Sequence, residues 1–306
     1  MRKIIIVFIS ILYFSFLGIA QQDPMYNQYM FNTLNVNPAY AGSAGITTFT
    51  GLYRHQWTGI VGAPRTHSYT GHGKIISLPI GVGGTIMRDT HGPVVNTSIY
   101  ADAAYILNLD NNKLAFGLKG GVNLFTANLI DLSPVDTGDP VFGENIKNKV
   151  LPNFGFGMLY YSKTYYVGIS IPKLLTNKLL SGELPDFNLS KERRHFTFIG
   201  GYVFDINSYV KFKPSLIWQV VNGAPSSYDI TANFLFYETM WAGIHYRKQD
   251  AMGLLLQYEV NRKVKLGYSY DFVVSGLARY NGGTHEVMLT VDLLKQIAGD
   301  KSPRYF

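Results

Sequence analysis

Cysteine is absent from this 306-residue chain, which excludes disulfide frameworks, thiol catalysis and thiolate metal sites. Charge is scarce: Asp, Glu, Lys and Arg together make up 15% of the residues, against roughly 25% in an ordinary soluble domain. Beyond the first twenty residues no apolar run approaches the roughly 18 residues that a transmembrane helix needs. Low charge together with 22 tyrosines, 19 phenylalanines and 3 tryptophans argues against disorder, which goes with high charge and few aromatics. The polar share is carried by Gly, Asn, Ser, Thr and Tyr. The excess of basic residues gives a net charge of +7, yet Lys and Arg are scattered along the chain, and a nucleic-acid footprint needs a patch or stripe.

The first twenty residues read as an export signal. Arg2 and Lys3 form a positive start, Ile4 to Leu17 is apolar with small hydroxyl residues, and Gly18-Ile19-Ala20 supplies the small-x-small pattern of a cleavage site. Cleavage is expected before Gln21, and no Cys follows to carry a lipid anchor. Removing Arg2 and Lys3 lowers the net charge from +7 to +5.

An exported chain without a spanning helix is either soluble or crosses a membrane as strands, and the hydrophobic period points to strands. From Val264 to Phe272 every even position is apolar or aromatic and every odd one is Lys, Gly, Ser or Asp. That is period two, the signature of a strand with two unlike faces. Alternation of this kind marks fourteen strands, beginning near Gly45, Arg65, Ile80, Pro93, Lys113, Leu151, Tyr165, Arg194, Tyr209, Tyr228, Trp241, Ala251, Val264 and Thr284. Twelve or sixteen strands lie within the error of such boundaries.

Alternation alone does not say whether the apolar face looks inward or out to lipid. The connections do. Every second one is short: Ser77 to Pro79, Asn108 to Asn112, Ser162 to Thr164, Asp205 to Ser208, Glu238 to Met240 and Asn261 to Lys263. The others are mostly longer, notably Ala127 to Val150, Leu174 to Arg193 and Val273 to Gly283, with Lys248 to Asp250 a short exception. Short turns at one end and long loops at the other are the plan of an outer-membrane barrel. The expectation is therefore an all-β transmembrane antiparallel β-barrel over residues 44–293. A plug-like or rim segment over 21–43 precedes it, and a periplasmic tail over 294–306 follows. Asp102, Lys119, Lys211, Lys213, Glu259, Lys265, Asp271, Glu286 and Asp292 fall on the polar face. Their mixed signs suit cross-strand networks better than an ion-selective ring.

Catalytic and metal motifs do not emerge, and no cofactor is expected. His55, His67 and His72 match no HExxH spacing, and His285 and Glu286 are neighbours on one strand and so point to opposite faces. No GxSxG or SxxK segment is present. The acids between Asp131 and Glu144 lack calcium-loop spacing. The glycines at Gly81 to Gly84 and Gly117 to Gly121 alternate with strand residues instead of opening a helix, which suits bending or the close approach of another segment.

Residues 22–42, QDPMYNQYMFNTLNVNPAYAG, carry four aromatics and a single charge, so the segment should pack, either inside the barrel or on its rim. This stretch resembles the PorP/SprF family of type IX secretion and gliding-motility outer-membrane proteins. The similarity rests first on Gln28, Tyr29 and Met30 and on Asn37, Pro38, Ala39, Tyr40 and Gly42. It continues through Arg54, Gln56, Trp57 and Gly59 and through Gly62, Ala63 and Pro64 of the first hairpin. One departure is Met87-Arg88-Asp89, where members often carry an Asn-Asp pair. The resemblance implies a non-enzymatic protein in the outer membrane of a Bacteroidetes-type bacterium. It further implies partners among outer-membrane lipid, other type IX components and a large secreted adhesin. The alternative is a channel for small or hydrophobic solutes, as in fatty-acid-transporter-like barrels. Leu174, Leu175, Leu179 and Leu180, after Pro172, are expected to form a short amphipathic helical turn that meets the partner outside.

Overall fold

The structure is a computed structural model and describes residues 24–130, 145–178, 192–221 and 225–293. The expected leader, the tail over 294–306, most of the loop after Ala127 and two of the four loop leucines, Leu179 and Leu180, lie outside the described residues.

Fourteen antiparallel strands close into one barrel. They are β1 (Thr47–His55), β2 (Arg65–Lys74), β3 (Ile80–His91), β4 (Val94–Leu109), β5 (Asn112–Ala127), β6 (Ile146–Tyr161) and β7 (Tyr165–Ile171). The circuit continues with β8 (His195–Tyr202, resumed at Phe204–Asp205), β9 (Val210–Val221), β10 (Ser227–Phe236), β11 (Met240–Arg247), β12 (Ala251–Asn261), β13 (Val264–Val273) and β14 (Thr284–Leu293). Each strand pairs with the next, and β14 pairs with β1 from Thr47 opposite Leu293 to His55 opposite His285. That seam removes both sheet edges, the only way a sheet satisfies its backbone groups in hydrocarbon. The interruption in β8 falls at Val203, whose side chain is buried and whose N–H donates to the Thr164 carbonyl at 2.7 Å.

Thirteen of the fourteen strands begin within two residues of the position that alternation marks. The exception is β6, which starts at Ile146 instead of Leu151. A register shift opposite Phe125 and Ala127 and a left-handed backbone at Asn148, with φ of 47°, break the period there. Polar Lys147, Asn148 and Lys149 hide what remains of it.

The burial pattern decides which face looks where. Leu254, Leu256 and Tyr258 on β12, and Leu266, Tyr268 and Phe272 on β13, are exposed on the outside of the barrel. Ser269, Asp271, Asp229, Asn233 and Glu286 are buried in its interior. The molecule is thus apolar outside and polar inside, the reverse of a soluble sandwich. Along one end of the barrel a row of rings runs from strand to strand: Tyr165 and Tyr202 at 6.3 Å, Tyr202 and Phe204 at 4.4 Å, and Phe212 and Phe234 at 4.8 Å. Aromatic rims of this kind sit at membrane interfaces.

The connections after β1, β5, β7 and β13 are long and share one end, which is the outer end; the opposite turns are short. Besides the exception at Lys248 to Asp250, the outer turn between β3 and β4 is also short, only Gly92 and Pro93. No helix among the described residues is long and apolar enough to cross a membrane.

Candidate functional site

The lumen holds a second structure, made from the chain that precedes β1. Residues 27–31 turn, and two 3-10 helical turns follow at Thr33–Asn35 and Pro38–Tyr40. Asn37 starts the second: its Oδ1 accepts the Ala39 N–H at 2.9 Å, and Pro38 holds the first helical position, where a missing N–H costs nothing. Tyr29, Met30, Leu34 and Ala39 are buried, and with Tyr161, Tyr166 and Ile199 of the wall they form an apolar core inside a polar barrel.

Each part of this segment has a seat in the wall. Asn37 Nδ2 donates to the carbonyls of Met158 on β6 at 3.0 Å and Ile169 on β7 at 3.3 Å. The wall offers room for this because Gly157 and Gly117 lack side chains. A Cβ on Gly157 would stand 2.1 Å from Asn37 Oδ1, and one on Gly117 would stand 2.1 Å from the Ala39 nitrogen. Thr70 on β2 donates to Asn32 Oδ1 at 2.9 Å, Ser170 on β7 to the Val36 carbonyl at 2.6 Å, and Lys119 on β5 to the Leu34 carbonyl at 3.4 Å. Lys119 also pairs with Asp102 at 3.5 Å. Lys213 on β9 lies among Phe31 of the segment and Trp241 and Tyr166 of the wall, 5.1, 5.5 and 5.9 Å from the ring centres.

The densest seat receives Asn27 and Gln28. Their backbone N–H groups donate to the two carboxylate oxygens of Glu286 at 3.1 and 3.0 Å. The Asn27 side chain donates to Ser269 at 3.0 Å and to Asp271, and accepts from Arg247 at 2.9 Å. Around it Arg54 bridges Asp271 and Glu286, each at 3.2 Å; Arg247 pairs with Asp229 at 3.0 Å; and His245 reaches Asp271 at 2.8 Å and Asp229 at 3.3 Å. Strands β1, β10, β11, β13 and β14 all contribute. The buried charges therefore compensate one another and present fixed donors and acceptors to a backbone. Among the described residues no group of His, Cys, Asp or Glu is arranged to hold a metal ion.

The residues singled out in the sequence divide into three groups. Gln28, Tyr29, Met30, Asn37, Pro38, Ala39, Tyr40 and Gly42 all lie buried within the barrel. Arg54 joins the charge network, whereas Gln56, Trp57, Gly59, Gly62, Ala63 and Pro64 shape the first outer loop. That loop is clipped to its neighbours, the Gly92 N–H donating to Gly62 at 2.8 Å and the Thr58 N–H to Gly283 at 2.8 Å. Gly59 and Gly62 take positive φ, 94° and 75°, which glycine adopts without strain.

The helical turn expected at the loop leucines is a correction, since the chain from Pro172 to Asn177 contains no helix. It runs along β6 instead, the Leu174 N–H donating to the Phe154 carbonyl at 2.7 Å and the Leu175 N–H to Asn153 Oδ1 at 3.0 Å. Capture by the part of β6 that extends beyond β7 overrides the helical spacing. Of the polar-face charges, Lys211 sits at the inner rim with Asp205 at 2.5 Å and Glu238 at 3.4 Å, outside the central network. Sequence reading missed Asn27, Asp229, His245 and Arg247 as a unit. Asp271 alone of the network's acids on these strands was marked as a polar-face charge; the pairing of β10, β11 and β13 that joins Asp229, His245 and Arg247 to it was not legible.

No match is found among curated proteins. Among solved structures the chain is similar to the CymD monoaromatic hydrocarbon channel, at 12% identity and a TM-score of 0.51, covering 92% of this chain and 96% of that one. A Pseudomonas aeruginosa FadL homologue aligns at 13% identity and a TM-score of 0.49, over 88% of this chain and 95% of that one. The Acinetobacter baumannii outer membrane protein Omp33 aligns at 9% identity and a TM-score of 0.49, over 82% of this chain and all of the other. At such identities these likenesses concern the barrel fold alone. The model of the type IX secretion system membrane protein PorP/SprF matches residues 18–291, most of the chain, and the protein accordingly belongs to that family of outer-membrane secretion components.

Proposed function

We propose that this protein is a non-enzymatic anchor of the type IX machinery that supports the secretion or surface attachment of a large exported adhesin, and that it works as a closed barrel, not as a solute pore. One observation carries the reading: residues 24–42 occupy the lumen and are hydrogen-bonded to strands on opposite sides of it. A channel needs a continuous aqueous path, and a segment bonded to opposite walls of the lumen stands in that path. The partner surface is then the outer end, where the long loops gather, including Leu174 and Leu175 beside β6.

The transport alternative is separated by a direct measurement. The purified protein in a planar bilayer is expected to show no large stable conductance, while a variant lacking residues 24–42 shows one. A large conductance from the intact protein overturns the closed-barrel reading. The partner role is tested by deleting residues 174–193, which should abolish adhesin retention on cells while the barrel still assembles. Retention that survives this deletion places the contact elsewhere.

A further inference from the structure

The segment inside the barrel has a direction, and the direction can be read from the heights of its contacts. At its beginning, Pro24 shares a cavity of about 70 Å³ with Pro172, Lys173 and His195, which flank the outer connection between β7 and β8. Met25 accepts a hydrogen bond from Ser227, the first residue of β10 after another outer connection. Asn27 and Gln28 meet Asp271, Glu286 and Arg247, all within three residues of an outer strand end.

Further along, contacts descend. Asn32 lies beside Thr70 in the middle of β2, and Asn37 beside Met158, three residues from the inner end of β6. At the end, Gly42 is pressed against Gly73, Lys74 and Gly81, which flank the inner turn between β2 and β3. Gly42 there takes φ of 72°, and the chain turns back upward into β1 at Thr47.

We infer that the N-terminal segment threads the barrel from outside to inside, so that Pro24 is presented at the outer mouth, on the cell surface. A segment inserted from below as a simple plug would instead leave its start in the periplasm. The inner end is locked between glycines and continuous with β1, whereas the outer end borders Lys173 and His195 of the loop region. It is therefore the part of the segment that an external protein can touch. The inference rests on the orientation of the barrel and not on the adhesin reading, and it stands or falls separately from it.

The absence of cysteine makes the test clean. Single variants Pro24→Cys, Val61→Cys in the exposed first outer loop and Asn111→Cys in the inner β4–β5 turn are labelled with a membrane-impermeant maleimide, on intact and on permeabilised cells. Pro24→Cys is expected to label on intact cells like Val61→Cys, with no gain on permeabilisation; Asn111→Cys should label only after it. Because Pro24 is half-buried, a short epitope inserted between Gln22 and Asp23 provides a second readout, with antibody binding expected on intact cells. Heat-modifiable electrophoretic mobility checks that each variant has folded. Labelling of Pro24→Cys and antibody binding that both require permeabilisation overturn the inference, as does a folded variant set in which neither probe reacts under any condition.

Discussion

Arg54 and Glu286 stand directly opposite each other across the β1–β14 seam, and the carboxylate oxygen that receives Arg54 Nη1 at 3.2 Å also receives the Asn27 N–H at 3.1 Å. Closure of the barrel and seating of the N-terminal segment thus share one atom. Replacing Arg54 by Ala removes the guanidinium from Glu286 and leaves Asp271 to His245 and Asn27, and truncation of one partner in a buried pair costs about 3–5 kcal/mol. The expected result is a clear fall in the temperature at which the folded electrophoretic band converts to the unfolded one. The Arg54→Ala, Glu286→Ala cycle should show a coupling of about 0.5–3 kcal/mol. No coupling would mean that the seam is held by its backbone ladder alone.

The seat of Asn37 offers a more local test. Gly157→Ala places a methyl where Asn37 Oδ1 already lies, and overpacking of that kind costs about 1–3 kcal/mol. The wall is a closed ladder and the segment is held by side-chain contacts, so the segment should give way first. Protease cleavage within residues 24–42 is expected to rise while heat-modifiable folding persists. Gly120→Ala is the control: its Cβ would sit at an ordinary 3.6 Å from the Phe154 ring, and the change should be within about 0.5 kcal/mol.

The inside-out arrangement makes a prediction about depth. Leu256 lies mid-strand on the exposed outer face, and Val260 lies on the same face near the inner rim. Lys at Leu256 should cost about 2–4 kcal/mol, whereas Lys at Val260 should cost about 0–1 kcal/mol, because a charge near the interface reaches water. Chemical unfolding in lipid vesicles measures both. Equal penalties would contradict the placement of β12 across the membrane.

These residues also show what the sequence could and could not say. Period two in Val264 to Phe272 and the rhythm of short and long connections were enough to place strands, inner and outer ends and the polar lumen. Those signals are local, and local patterning survives intact in one sequence. The start of β6 was hidden because a bulge at Asn148 breaks the period. The loop leucines misled because helical spacing in four residues is weak beside the backbone acceptors that β6 offers at Phe154. The charge network escaped notice because Arg54, Asp229, His245 and Glu286 come from four strands separated by up to 232 residues in sequence. Only the pairing order, and which strand closes on which, brings them together.

The cage around Lys213 supplies the last prediction. Its ammonium is fully buried and faces Phe31, Trp241 and Tyr166, so the ring of Phe31 fills space and also lends the negative face of its π system to the cation. Phe31→Leu keeps an apolar side chain and loses that face. If the cation–π contact holds the segment, Phe31→Leu should destabilise the native protein by about 1–2 kcal/mol more than it destabilises a Lys213→Met variant, where no charge remains to be stabilised. Thermal conversion of the four proteins in detergent gives the cycle. Met also removes the cost of burying an ammonium, so the single Lys213→Met variant can be neutral or even more stable, and its own stability therefore does not decide the matter. The coupling does: a value near zero would make Phe31 a space-filling residue and leave the network at Glu286 as the principal polar hold on the segment.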